Sequence, residues 1–537
     1  MTLPSSALRT AAGHIGRRRF LTAGATAALA FAVDLPGSAH AVELKAKEIT
    51  ENPFTLGVAS GDPQPGSVVL WTRIAPRPYE PGSGLPRAPL SVGWEVAHDE
   101  LFTRVAQSGT VIADPEFDHS VHLELNGLEN DWVYYFRFRV GEWISPVGRT
   151  RTAPALSADI RELRLAAVSC QAYYDGYFTA YRHLAEEDLD VVFHLGDYLY
   201  EYAVTGVGGY RNYTDRQLPA LFNRETLTLE DYRLRYALYK SDPDLMAAHA
   251  AHPFVLTWDD HETENNYAGE DPENSVPSEE FLLRRAAAYR AYWENQPLRT
   301  PQLPVGADMQ LYRRLHFGQL AQFDVLDTRQ YRSDQAYGDG WHAPGPESDD
   351  PSRTMTGATQ ERWLIDGWRD SSALWNVVPQ QVPFAERRDR PTADYLVSMD
   401  DWDGYPASRN RILDGAEAAG VENLMVLSGD AHRAHACDIK RDYQAPDARA
   451  VGAEIVATSV SSGRDGADQP ANWNDLMLAN PHLKFYNGRR GYTTVTLGTR
   501  QARADFKTLS HVTTPGSPIA TTASFVTEVG SPGITPA

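Results

Sequence analysis

Residues 168–202, VSCQAYYDGYFTAYRHLAEEDLDVVFHLGDYLYEY, decide the fold of this chain. Two short apolar runs, 163–168 and 191–195, stop abruptly at polar residues, which is how strands buried on both faces of a sheet read. Between them Tyr177, Phe178, Tyr181, Leu184 and Ala185 recur at helical spacing, so the segment predicts a βαβ unit. In such units the strand C-termini form the ligand crevice, which brings Cys170, Asp197 and Tyr200 to one edge. A thiol and a phenol bind a hard cation well only when deprotonated, and a trivalent metal holds both in that state near neutral pH. Taken singly, Cys170 reads equally as a small buried hydrophobe, Tyr200 as core and Asp197 as a turn cap after Gly196.

Two further strand ends shift that balance. The apolar run 254–258 leads into Asp259-Asp260-His261-Glu262, with Asn265 and Asn266 close behind, and 424–427 leads into Gly429-Asp430-Ala431-His432. Four strand ends therefore present oxygen, nitrogen and sulfur donors, which is how such a sheet gathers a multi-metal site from distant sequence.

The blocks GDYLY, WDDHE and GDAH occur in the order of the calcineurin-like metallophosphoesterases, and the chain most resembles their alkaline phosphatase D (PhoD) branch, with Cys as the first ligand and GDAH as the last motif. The resemblance runs from Asn52 to the segment near Ser524. It implies an iron(III) held by Cys170, Asp197, Tyr200 and His432, and a Ca²⁺ bridged by Asp197 and bound by Asp260 and Asp430. Asp260 stands where most of the superfamily has Asn, and Asp430 where it has His. These anionic oxygens bias the second ion toward calcium and away from zinc. Asn265 or Asn266 is a candidate for a further Ca²⁺, so the expected complement is one Fe³⁺ with one or two Ca²⁺. His261 is the expected catalytic residue, bonding phosphoryl oxygens or protonating the leaving group, with a supporting contact to Asp260 as its alternative role. Arg433 and Gln381 are candidate substrate contacts, alongside His435 and Gln380; a charged face after a strand explains Arg433 and His435 equally well. Arg329 is expected to pair with Asp327.

Length and composition bound the rest. A chain of 537 residues exceeds one hydrophobic core, and 42 % hydrophobic with 10 % aromatic residues is globular. Arg17-Arg18-Arg19-Phe20-Leu21, an Ala-rich apolar run and Ala39-His40-Ala41 have the form of a twin-arginine export signal over 1–41, so the expected protein is secreted through that machinery. That run is shorter than the roughly 20 apolar residues a spanning helix needs, and no later stretch is long and apolar enough to span a bilayer. Loss of four arginines and one aspartate with that segment takes the net charge from −21 to −24, which argues against binding duplex nucleic acid. The two cysteines, Cys170 and Cys437, admit a disulfide, but export of an already folded protein favours Cys170 as a metal thiolate.

The expected fold is α/β, an α+β sandwich with a metallophosphoesterase two-sheet core flanked by helices and an N-terminal β-sandwich domain. Its expected parts are the signal 1–41, the β-sandwich 42–155 with Trp71 and Tyr134 in its core, the catalytic domain 156–515, and a partly ordered cap or tail 516–537. Candidate strands of the catalytic part are 163–169, 191–195, 254–258, 320–326, 375–378, 423–427 and 454–459; candidate helices are 278–293 with Ser278 as cap, 360–369 and 407–419. No P-loop, HExxH or GxSxG element occurs. The leading expectation is a secreted, monomeric, metal-dependent phosphoesterase acting on phosphodiesters and phosphomonoesters of teichoic acid, phospholipid or nucleotide type through metal-activated water or oxide. A phospholipase D with the same metal site is the alternative; a non-catalytic calcium-binding module is the distant one.

Overall fold

A computed structural model describes residues 44–204, 211, 218–445 and 447–537; the expected export signal lies outside them. Two β-sheets pack face to face between layers of helix. The larger has ten strands and is centred on Glu162–Val168, Val191–His194 and Pro253–Leu256, which pair in parallel. The smaller has seven, with Ala321–Val325, Trp375–Pro379, Leu424–Ser428 and Ala450–Val456 parallel at its middle.

Strand periodicity explains the layers. Leu165, Ala167, Val191, Phe193 and Val255 face the second sheet and join one core with Phe323, Val377, Met425, Leu427 and Ile455. Their neighbours Ala166, Val168, Val192, Phe254 and Leu256 face the opposite way, onto helices Thr179–Ala185, Leu229–Lys240, Pro243–Ala251 and Ser278–Asn295. Phe193 stacks on Phe323 across the sheets with centroids 4.6 Å apart. Truncating such a ring costs about 3–5 kcal/mol. On the outer face of the seven-stranded sheet, Leu364 and Trp368 of Gly357–Arg369 and Ile412, Leu413 and Ala416 of Pro406–Ala418 cover Val378, Leu424 and Val426. The protein is thus an α/β sandwich with a two-sheet core flanked by helices.

The N-terminal strands differ from expectation in where they belong. Val58–Gln64 pairs in parallel with Pro253–Leu256, so with Ser67–Arg73 and Ser120–Leu125 it extends the ten-stranded sheet. A separate sheet of Val105–Ala113, Leu90–Ala97, Val133–Val140, Trp143–Ile144 and Gly148–Arg151 packs on that extension, burying Val68, Leu70, Val92, Trp94, Phe136 and Tyr134. Trp71 does not join this core. Being odd in a strand whose even members Val68 and Leu70 face the sandwich, it faces the helices, donates Nε1 to the carbonyl of Glu294 at 2.9 Å and carries the Lys240 ammonium 4.1 Å from its ring centroid.

Two further expectations are corrected. Pro277, not Ser278, is the N-cap of Ser278–Asn295, and no side chain caps that helix. The segment expected as a partly ordered cap forms the strands Ile519–Glu528 and Ser531–Pro536, which finish the ten-stranded sheet; Phe525 and Ile534 enter the inter-sheet core, which accounts for the order. Among the described residues no helix is long and apolar enough to cross a membrane.

Candidate metal centre

The strand ends converge. Cys170 lies just beyond Glu162–Val168, Asp197 beyond Val191–His194, Asp259 and Asp260 beyond Pro253–Leu256, and Asp430 and His432 beyond Leu424–Ser428. Cys170, Asp197 and His432 bring one ligand atom each within 4.8 Å of one another; so do Asp197, Asp260 and His261, and again Asp259, Asp260 and Asp430. Tyr200 joins the first group: its phenol donates to Asp197 Oδ2 at 2.8 Å, lies 3.1 Å from His432 Nε2 and accepts from Ser462 Oγ at 2.7 Å.

Backbone conformation is unusual at four of these positions. Cys170, Asp197, Asp430 and His432 all have left-handed φ, at 57°, 57°, 56° and 54°. Non-glycine residues held there store strain that the surrounding structure must sustain, and such residues cluster at functional sites. Several contacts sustain it. The Glu262 carboxylate accepts from the backbone N–H groups of Asp197 (3.1 Å), Tyr198 (2.6 Å) and Asp259 (2.8 Å), tying two of the strand ends together. Arg490 donates to the carbonyl of His432 at 2.9 Å. Gly196 has φ 108°, and a Cβ there would lie 2.5 Å from the Cβ of Asp259, so only glycine lets these two loops close.

Electrostatics tests whether the group suits cations. Burial, reinforced by Asp260, Asp259 and Glu262 against the opposing His261, holds Asp197 well above the usual carboxylate range. Burial together with Asp401 and Asp400 pushes Asp430 up to about 7 despite Arg329. Burial, then Asp197 and Asp430, raises the Cys170 thiol. Asp197 Oδ1, Asp259 Oδ2 and Asp260 Oδ1 are buried with no hydrogen-bond partner in the protein. Crowded, desolvated carboxylates with unpartnered oxygens are relieved by a bound multivalent cation, so the donors present fit one.

His261 stands against this cluster with its ring 4.1 Å from that of Tyr200, and its Nδ1 is 2.8 Å from Glu201 Oε2. Burial disfavours its charge, but Glu201, Asp260 and Asp197 outweigh burial and raise its pKa well above the ordinary value.

The other candidates sort differently. Asn265 donates its side-chain amide to Glu273 at 2.6 Å and its N–H to Glu201 at 2.9 Å; Asn266 donates its N–H to Asp260 at 2.7 Å and its amide to Asp339 at 2.6 Å. Gln381 is not brought to the pocket. It is fully buried and its amide is consumed internally, accepting from Thr328 N–H and hydroxyl and donating to Thr257 and Leu326, so it braces the sheet beneath the Gly429 turn. Gln380 is likewise bound to Ser428 and Trp402. Arg433 is half-buried, with Nε donating to the carbonyl of Ala431 at 2.6 Å. Cys170 and Cys437 are both free and buried.

Three groups escaped sequence reading. Glu201 sits one residue past Tyr200, yet only the fold brings it to His261. Arg329 meets Asp327 only through its backbone N–H, not by the expected ion pair: its fully buried guanidinium reaches Asp259 (2.5 Å), Asp400 (2.8 Å) and Asp260 (3.4 Å), an arrangement that spacing does not announce. Arg490 lies 58 residues beyond His432, outside every motif.

A two-sheet core between helices, with thiol, phenol, imidazole and carboxylates gathered at its strand ends, is that of a metallophosphoesterase. Within that class the chain belongs to the PhoD-like phosphatase family, whose model matches residues 165–506, while the model of the PhoD-like phosphatase N-terminal domain matches 38–154. It is 47 % identical to alkaline phosphatase D of Bacillus subtilis (strain 168) over 524 residues, covering 96 % of this chain and 88 % of that protein. A solved structure of PhoD superposes with a TM-score of 0.87 at 48 % identity, covering 91 % of this chain and 93 % of that one.

Proposed function

We propose that this protein hydrolyses phosphodiesters and phosphomonoesters with one Fe³⁺ held by Cys170, Asp197, Tyr200 and His432 and Ca²⁺ held by Asp197, Asp260 and Asp430. The observation that carries the reading is the convergence of these side chains from four strand ends, where one buried oxygen each of Asp197, Asp260 and the neighbouring Asp259 accepts no hydrogen bond from the protein. Cations held by these residues would supply charge to neutralise the phosphoryl oxygens and to lower the pKa of a water. The chain's own residues do the rest. Glu201 fixes the tautomer and tilt of His261 through Nδ1 and leaves the other ring nitrogen for substrate. Glu201, which lies outside the proposed metal ligands, favours the protonated form of His261, which suits donation to a phosphoryl or leaving-group oxygen. Glu262 and Arg490 hold the loops that present Asp197, Asp259 and His432.

Substrates of teichoic acid, phospholipid or nucleotide type all carry the required ester. Export by the twin-arginine route belongs to the same reading, supported by the arginine pair and apolar run near the start of the chain and by its acidic charge.

Elemental analysis with a visible absorption spectrum tests the metal assignment. About one iron together with calcium is expected, with a charge-transfer band that Tyr200→Phe or Cys170→Ser removes. Zinc or manganese without colour would overturn the ligand assignment while leaving the phosphoesterase. Turnover of bis(p-nitrophenyl) phosphate that ignores chelators and survives Asp197→Ala would sink the reading.

A further inference from the structure

Beside the metal centre lies a cavity of about 160 Å³ whose wall includes Trp341, Arg387, Asp389, Arg433, His435 and Tyr486. Two links tie it to the cluster: Arg433 directly follows His432 in the chain, and Arg387 pairs with Asp401, whose carboxylate acts on Asp430. Its charge is unlike that of the chain as a whole, which is strongly acidic. The one carboxylate in this group, Asp389, is already matched: it accepts from Arg390 Nε at 2.8 Å and Nη2 at 2.7 Å and from the N–H of Leu396 at 2.7 Å.

The basic side is only partly matched. Arg387 gives Nη2 to Asp401 at 3.2 Å, but its Nε and Nη1 are buried with no protein partner, in a side chain only 12 % exposed. His435 is 3 % exposed and its Nε2 is also buried without a partner. Leaving guanidinium donors desolvated and unpaired is costly, and the cost is recovered when an anion completes them. The Trp341 ring, 5.1 Å from the Arg387 guanidinium, shields one face of that donor fork. Nε and Nη1 donate on different edges of the guanidinium, so a phosphate held through two oxygens takes one of them together with the Nη2 hydrogen that Asp401 leaves free.

We propose that this cavity is a subsite for a second phosphate of the substrate, one that is not cleaved, so that the enzyme prefers esters whose leaving or retained arm carries another phosphoryl group. The assignment rests on the phosphoesterase reading above. It makes Arg387 and Arg433 specificity residues, and it gives a bare diester the catalytic centre but not the full binding energy.

The test compares release of p-nitrophenol by the metal-loaded protein from p-nitrophenyl propyl phosphate and from its analogue with a terminal phosphate on the propyl arm. The phosphorylated substrate is expected to have kcat/KM about tenfold or more above the other, mostly through KM. Arg387→Gln and Arg433→Gln bring that ratio down toward one, and Arg387→Lys, which keeps the charge but not the fork, retains part of it. Equal rates on the two substrates, or an equal loss on both in every variant, would overturn the subsite. If the cavity takes free phosphate rather than a substrate arm, the substrates are cleaved alike and Arg387→Gln weakens inhibition by inorganic phosphate, which also overturns it. No turnover of either substrate by the metal-loaded protein would instead remove the phosphoesterase reading on which it rests.

Discussion

His261 Nδ1 lies 2.8 Å from Glu201 Oε2, and that carboxylate also accepts the N–H of Asn265 through Oε1 at 2.9 Å. Glu201 therefore does two things at once: it orients the imidazole and anchors the loop that carries Asp259, Asp260 and His261. It is 1 % exposed, so its charge acts at short range and with little screening. A buried carboxylate on one ring nitrogen fixes which nitrogen faces outward, and with it the proton that the ring has to offer.

Replacing Glu201 by Gln keeps the shape and removes the charge. The expected result is a fall in kcat of about tenfold to a hundredfold with metal content unchanged, because the ring keeps a neighbour but loses the bias toward its protonated form. Glu201→Asp, which retains charge at shorter reach, falls between Gln and the parent. Steady-state kinetics beside elemental analysis reads this directly; equal losses of metal and activity would make Glu201 a residue of loop stability alone.

Glu262 serves the metal loops themselves, since one carboxylate receives the amides of Asp197, Tyr198 and Asp259. Its own burial raises its pKa to about 8. In Glu262→Gln the new amide N–H₂ faces backbone donors, so at least one buried N–H loses its acceptor, at a cost of about 1–3 kcal/mol. A lower Tm and a lower metal content after dialysis are expected together. Full metal retention in Glu262→Gln would show that the two strand ends hold their positions without this tie.

How much of this was legible in the sequence follows from what periodicity records. The strands ending at Val168, His194, Leu256 and Ser428 are visible because apolar runs stop sharply, and their ligands follow within a few residues. Helix Leu229–Lys240 was not, because Arg235 and Lys240 are buried with their apolar neighbours and leave no polar stripe. Its capping box, Thr228 with Asp231, was the readable signal. The union of Val58–Gln64 with Pro253–Leu256 was also hidden, since strand pairing across almost two hundred residues leaves no local mark. Gln381 shows the reverse case: a polar residue at a strand end suggests a pocket, yet its hydrogen bonds to Thr257, Leu326 and Thr328 make it a brace.

Gly196 offers a sharper test of loop geometry. Its φ of 108° is open to glycine, and an added Cβ would sit 2.6 Å from the backbone nitrogen of Asp259. Gly196→Ala must move either the Asp197 loop or the Asp259 loop, and both carry candidate ligands. Strain of this kind costs about 1–3 kcal/mol. The variant is expected to melt lower and to lose bound metal, read by elemental analysis; an unchanged metal content and Tm would show that the loops separate freely.

His252 provides a pH test away from the metal ligands. It follows helix Pro243–Ala251, is 2 % exposed, and its Nε2–H donates to the carbonyl of Leu184 at 3.0 Å. Burial lowers its pKa to about 4, with the Leu184 bond opposing and Arg149 adding to the effect. The folded protein therefore keeps this ring neutral between about pH 6.5 and pH 4, whereas the unfolded chain takes up a proton over that interval. Its contribution is fully present above about 6.5 and declines by about 1.4 kcal/mol per pH unit as the pH falls toward 4. His252→Gln removes the titration while keeping a donor for Leu184. The variant should melt below the parent at pH 7.5, and the gap should narrow steadily on going to about pH 5, as the parent alone pays the proton uptake of its unfolded state. Tm measured across that range for both proteins decides it: a gap that stays constant would mean that His252 titrates alike in the folded and unfolded chain.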